Sequence, residues 1–265
     1  MTILFNACLA ACLIALIVAV LSLVSRAKFL GYITMTVLAA GCAMMTAYIG
    51  IRWAQAGRAP FSDMFESLVL FAWSIVLVYL ALSVKLRLRG LDAASALLAL
   101  LALAYASTFP SHIRPLMPAL RSNWLSIHVF TCFLGYAGFA VSCMAAAGHL
   151  AATRASSLAT AETRERMETI VAKTVSFGFL FLTLGIITGA VWANSAWGTY
   201  WSWDPKETWS LITWLVYALF LHCRFMRGWR GRRTSWMSII GFACVLFTYF
   251  GVNFLSILRG LHSYA

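Results

Sequence analysis

Eight predominantly apolar runs follow one another along the chain, at about 3–24, 29–51, 67–84, 91–108, 124–149, 175–193, 208–223 and 236–257. Short polar stretches separate them. A membrane-crossing helix needs roughly 20 mainly apolar residues, so each run is read as one span and the fold class as an all-α integral membrane protein. The first run has no basic stretch before it and no small-residue cleavage site after it, so it is expected to remain as a helix rather than act as a signal peptide. Residues 1–50 read as scaffold, because they carry no histidine and few polar groups; residues 51–265 hold the candidate chemistry.

Composition agrees with the pattern. Hydrophobic residues make up 62% of the 265 and charged residues only 11%, which excludes an ordinary soluble domain. The net charge of +12 does not point to nucleic acid, because the cations alternate between faces. Arg26 and Lys28, then Lys85, Arg87 and Arg89, then Arg154, Arg164, Arg166 and Lys173, then Arg224, Arg227, Arg230, Arg232 and Arg233 all fall on one side of the predicted spans. The other side has only Arg52, Arg58, Arg114, Arg121, Lys206 and Arg259. The cation-rich side is expected to be cytoplasmic, with both termini outward. The seven cysteines lie in the apolar runs or at their ends, without a Cys-x-x-Cys pair, so they read as small packing residues.

The polar stretches on the outward side are unequal. The first carries Asp63 and Glu66 at capping-box spacing, with Arg52 and Arg58 read as solvated loop cations. The second, Pro110 to Arg121, contains three prolines and is expected to be stiff and non-helical; Ser122 or Asn123 then caps the fifth helix. The third is the centre of the sequence. Trp197, Gly198, Tyr200, Trp201, Trp203, Asp204 and Trp209 place four tryptophans and a tyrosine within thirteen residues. Interfacial rings are common at membrane faces, but one helix end needs only one or two. The loop, about 193–209, therefore reads as an outward platform for a flat apolar ligand with charged edges. It ends where Asp204, Pro205 and Glu207 give the pattern of an N-cap, a first-turn proline and a carboxylate reaching back.

Histidines complete the candidate site. His128 lies about one turn inside the outer boundary, four residues after Trp124, and His262 lies in the C-terminal tail on the same side. A buried intramembrane histidine is costly unless paired or bound. His149 follows His128 by 21 residues, roughly 31 Å of helix, so those two cannot share one metal. His222 follows Asp204 by 18 residues, about 27 Å, and so lies at the inner face near the depth of His149. Two neutral imidazoles are a usual way to hold haem iron axially, and haem is flat, apolar and edged by two carboxylates.

Trp197-Gly198-x-x-Trp201-x-Trp203-Asp204 matches the tryptophan-rich WWD signature of haem-handling proteins, and its continuation through Pro205, Lys206, Glu207 and Trp209 to His222, with Trp124 to His128 and the tail Gly260-Leu261-His262-Ser263-Tyr264, resembles the CcsA (ResC) family. The resemblance covers roughly residues 50–265. It implies a subunit of the system II cytochrome c synthase (a haem lyase) in the bacterial inner membrane. His128 and His262 would be outer haem-iron ligands, His222 an inner one, and haem b both substrate and bound ligand. Trp124, Trp197, Gly198, Trp201, Trp203, Asp204 and Glu207 would line the site. The implied partners are a CcsB (ResB) subunit, expected as a separate chain, apocytochrome c with its Cys-x-x-Cys-His segment, and the proteins that keep those thiols reduced. No catalytic residue separate from the haem ligands is implied, and His112 and His149 match nothing in the family pattern. Three alternatives stay open: a CcmC-type chaperone delivering haem to a carrier, a cytochrome b-like electron carrier using His149 and His222, and a transporter of another amphipathic solute.

Overall fold

The computed structural model describes residues 1–25, 27–85, 89–154 and 160–252. Among these every regular element is helical: α1 (Thr2–Ser25), α2 (Lys28–Ala56), α3 (Met64–Ser83), α4 (Arg89–Ala106), a 3-10 turn (Pro118–Leu120), α5 (Asn123–Arg154), α6 (Ala161–Trp197), α7 (Pro205–Phe225) and α8 (Arg232–Leu246), which continues as a π turn (Phe247–Gly251). Six of the eight predicted spans are long and apolar enough to cross a membrane: α1, α2, α3, α5, α6, and α8 with its π turn. The apolar part of α4 is shorter, Gly90–Ala106. The first turns of α7 are diluted by Lys206, Glu207, Thr208 and Ser210.

The chain forms two compact units, Met1–Leu116 and Met117–Ala265. In the first, α3 is the most enclosed helix; Leu68, Val69, Leu70, Ala72, Ile75 and Val76 are all buried. Gly57, at φ 64°, closes α2 in the left-handed conformation a glycine adopts without strain. Asp63 caps α3, its Oδ1 accepting the Glu66 N–H at 2.8 Å. The reciprocal half of the predicted capping box does not form. Glu66 Oε2 instead accepts the Ser62 N–H at 3.0 Å and its hydroxyl at 3.1 Å.

Glu66 also overturns the reading of Arg52 and Arg58 as solvated cations. Arg52 is only 2% exposed. Its Nε donates to Glu66 Oε1 at 2.9 Å and its Nη1 to the Ser111 carbonyl at 2.7 Å. Arg58 donates to Glu66 Oε2 at 3.0 Å and to the Arg114 carbonyl at 3.1 Å. The reason is electrostatic: a carboxylate buried as deeply as Glu66 must gather counter-charge. Both arginines reach over it, and in doing so they tie the 57–66 loop to the 107–116 loop. Removing Glu66 leaves the buried Arg52 with the more distant Asp63, at 4.0 Å, as its counter-charge. Glu66→Ala is therefore expected to cost about 3–5 kcal/mol, measured as loss of thermal or denaturant stability in detergent, with Glu66→Gln falling between it and the parent.

In the second unit α5 and α6 run against each other along most of their length. The approach is close enough that a Cβ at Gly178 would lie 2.9 Å from the Gly135 carbonyl oxygen, so a small residue is needed there. α6 is much longer than its apolar run. Thr160 caps it, accepting the Thr163 N–H at 3.2 Å, and Glu162 pairs with Arg166 one turn on at 2.7 Å. The polar stretch before the sixth predicted span is thus the first part of the same helix. Tyr217 of α7 stacks on Phe139 of α5 and packs over Gly241 of α8. All seven cysteines are free thiols, with Cys143 and Cys244 half-buried and the others buried.

Candidate functional site

The aromatic loop is fixed at both ends by local rules. Gly198 ends α6 at φ 79°, its N–H donating to the Asn194 carbonyl at 2.9 Å. Asp204 begins α7 as predicted: its Oδ1 accepts the Lys206 N–H at 2.9 Å, Pro205 takes the first helical position, and Glu207 completes the capping box. Glu207 does more than cap. Its Oε2 accepts the Ser202 N–H at 2.7 Å, the Ser202 hydroxyl at 3.2 Å and the Asp204 N–H at 3.2 Å. One carboxylate oxygen therefore binds the residues on either side of Trp203.

Trp203 has φ 60°, and among the described residues it is the one non-glycine with positive φ. A bulky residue in this region is strained by about 1–2 kcal/mol, and such strain persists only where neighbours enforce it. Here the two flanking bonds to Glu207 and a bond from Thr208 Oγ1 to the Trp203 carbonyl at 3.2 Å enforce it. The result is an indole held outward, 68% exposed. Trp201 meets it edge-on, with ring centroids 5.8 Å apart and planes at 88°. Lys206 is nearby in sequence but turned in; burial lowers its pKa to about 8, against the opposing pull of Asp204. An anionic group placed beside it would raise that pKa again.

His128 reaches the same region from α5. Its Nδ1 lies 2.7 Å from the Gly185 carbonyl of α6. Trp192, almost fully buried, lies nearly parallel to the imidazole (14°, 6.4 Å) and meets Trp197 edge-on at 4.8 Å. A chain of rings thus runs from the candidate ligand to the first residue of the aromatic motif. Trp192 escaped the sequence reading because a tryptophan inside an apolar helix carries no signal beyond packing. Trp124 is exposed and sits one turn before His128, a spacing that puts both on one helix face. Trp209, by contrast, turns to Phe247 (4.1 Å) and packs within the unit. His262 lies outside the described residues.

The other histidines separate clearly. His222 is exposed on α7, in line with the outward-facing Leu215, Leu219 and Met226. His149 is buried and engaged at both ring nitrogens. Its Nδ1 is 3.0 Å from Ser235 Oγ and its Nε2 is 3.4 Å from Glu168 Oε1, while Glu168 Oε2 is 3.4 Å from Arg224. That polar knot joins α5, α6, α7 and α8 at the end of the unit remote from the aromatic loop. No motif signals it, because its members are spread over 86 residues between His149 and Ser235. His112, in the first unit, accepts from Arg114 Nε at 3.2 Å on the surface.

Comparison with known proteins places these features in context. The family described as "Cytochrome C assembly protein" matches residues 61–261. The "Cytochrome c biogenesis protein CcsA" of Synechococcus elongatus is 38% identical over 272 residues, covering 83% of each chain. The proteins of the same name from Prochlorococcus marinus and Guillardia theta are 39% and 37% identical, covering 83% and 89% of this chain and 80% and 85% of their own. Among solved structures, "Cytochrome c Heme Lyase CcmF" superposes with TM-score 0.67 at 20% identity over 94% of this chain. This chain spans about half of that one, 46%, and the likeness is one of fold.

Proposed function

We infer the function of this chain from the family it belongs to, the cytochrome c assembly proteins, and among them the CcsA proteins: it is a multi-pass membrane protein of cytochrome c maturation. Within that role we propose that it carries haem b to the outer face of the bacterial inner membrane and holds it for covalent attachment to apocytochrome c. The observation that supports this most is the continuity of His128, Trp192 and Trp197 with a loop whose backbone is constrained to present Trp203. A planar macrocycle suits indole faces and edges, and an imidazole suits its iron.

In this proposal His128 and His262 ligate the iron of the outer haem, and the aromatic loop grips the ring. Apocytochrome c then presents its reduced Cys-x-x-Cys-His segment. Each thiol S–H adds across one vinyl C=C, sulfur to one carbon and hydrogen to the other, so no oxidant is consumed. The peptide histidine takes over one axial position. The synthase contributes position rather than a reacting group of its own. The alternation of basic residues supports a periplasmic placement of the loop.

His222 serves the inner site, with a CcsB-like subunit supplying the opposite ligand. Its exposure in an apolar stripe supports this, since a solitary imidazole facing lipid is costly. The electron-carrier alternative is less well supported, because an iron at His149 would have to displace Ser235 or Glu168. The test is purification of the complex with its partner followed by haem spectroscopy. His222→Ala is expected to remove the inner haem; an undiminished haem load would take His222 out of the pathway. Co-purification with a small haem carrier in place of a CcsB-like chain would favour the chaperone reading.

A further inference from the structure

We propose that α6 selects the tautomer and seat of His128: the Gly185 carbonyl fixes the proton on Nδ1, the bare backbone at Gly189 forms the shelf under the ring, and Nε2 is thereby the nitrogen offered to iron. This deepens the haem reading and rests on it for the ligand, but not for the geometry.

A carbonyl oxygen can only accept. With Nδ1 at 2.7 Å from Gly185 O, the hydrogen must be on Nδ1, and in the neutral ring the lone pair is then on Nε2. A free histidine has no such bias imposed on it. The ring also lies almost on the α6 backbone. A Cβ at Gly189 would come 2.5 Å from His128 Nδ1, 2.7 Å from Cε1 and 3.3 Å from Cγ. Three ring atoms are involved, so no small rotation relieves the contact. Cys132, one turn further along α5, closes the notch beneath: its sulfur is 3.7 Å from His128 Nδ1, and a Cβ at Gly185 would come 2.4 Å from it. Trp192 lies beyond the ring, nearly parallel to it. Any side chain at 189 must therefore push the imidazole off the Gly185 carbonyl. The Gly185 and Gly189 spacing looks like a helix-packing motif in sequence, yet at this end of α6 what packs into it is the ligand itself.

A hydrogen bond to the distal nitrogen of a metal-bound histidine fixes its orientation and raises its basicity, and losing it costs about 10- to 100-fold in affinity or activity. Gly185, Gly189 and Cys132 are on this account positioning residues.

Two measurements test it. In haem-free full-length protein with nitrogen-15 histidine, His128 is expected to show a protonated Nδ1 and an unprotonated Nε2, and Gly189→Ala to lose that state. A parent protein with the proton on Nε2 overturns the proposal. In the purified complex and in cells, Gly189→Ala is expected to lower outer-haem retention and cytochrome c maturation by about 10- to 100-fold; parental levels overturn it. Should Gly189→Ala fold poorly, the pair His128→Ala and His128→Ala/Gly189→Ala decides, both supplied with imidazole. A double variant as stable as His128→Ala but rescued less by imidazole supports action through the ring, since the free ring would occupy the same shelf over residue 189; equal rescue of the two refutes it. If His128→Ala alone matures cytochrome c normally, the haem reading fails while the tautomer result stands on its own.

Discussion

His128→Ala is expected to reduce cytochrome c maturation to background, and added imidazole to restore part of it. The imidazole of His128 is half-buried. It is held on one side by the Gly185 carbonyl and lies over Gly189. Deleting it opens a space shaped like an imidazole ring, with the acceptor for one N–H still in place. A free imidazole entering that space gains the same hydrogen bond and offers iron the same kind of nitrogen, but without the tether that made binding effectively intramolecular. Rescue should therefore need high concentration and stay incomplete. The loss should exceed the about 100-fold ceiling expected for disturbing only a supporting hydrogen bond, which places His128→Ala below Gly189→Ala in the same assay. The measurement is covalent haem in a reporter cytochrome c, together with the absorption spectrum of the purified complex. Folding is controlled by the inner haem, whose proposed ligand His222 is on another helix. Mature cytochrome c at parental level in His128→Ala would remove this residue from the outer site.

The sequence made the local part of this structure legible. Apolar runs located the helices, and Asp204, Pro205 and Glu207 gave the start of α7, because capping depends on residues three apart. The end of α6 was not legible in the same way: the apolar run stops at 193, whereas the helix continues to Trp197 and is closed by Gly198. What escaped depends on distant neighbours. Arg52 looked like a solvated cation until Glu66, 14 residues away, was found buried beside it. Trp192 looked like packing until His128 and Trp197 were found on either side of it. The Gly185 carbonyl is a backbone atom, which no side-chain motif can announce. His149 matched no pattern, and its partners explain why: Glu168, Arg224 and Ser235 come from three other helices. The left-handed backbone of Trp203 was equally hidden, since nothing in a Trp-Ser-Trp-Asp string favours positive φ for a tryptophan.

That backbone leads to the second large effect. Glu207→Ala is expected to lower haem retention and maturation at least about tenfold, the lower bound for losing a group that orients a ligand-bearing element, while costing only about 1 kcal/mol of stability, the usual value of a cap. The disproportion follows from where the bonds go. Glu207 Oε2 is the common acceptor for Ser202 and Asp204, and without it the strain at Trp203, about 1–2 kcal/mol as for any left-handed non-glycine residue, is opposed only by the bond from the Thr208 hydroxyl to the Trp203 carbonyl. The loop should relax to an extended conformation, turning the Trp203 indole away and breaking its edge-on contact with Trp201. Glu207→Gln keeps an acceptor oxygen but loses the charge that strengthens three bonds, so it should fall between parent and alanine. Trp203→Gly separates the two contributions. Glycine accepts φ 60° without strain, so the loop geometry should survive and stability stay within about 1 kcal/mol of the parent, yet haem retention should fall because the ring itself is gone. Soret absorbance per protein, set against thermal unfolding of the same preparations, reads both quantities. If Glu207→Ala keeps its haem, the strained backbone at Trp203 does not serve the site, and the platform must be held by the neighbouring helices instead.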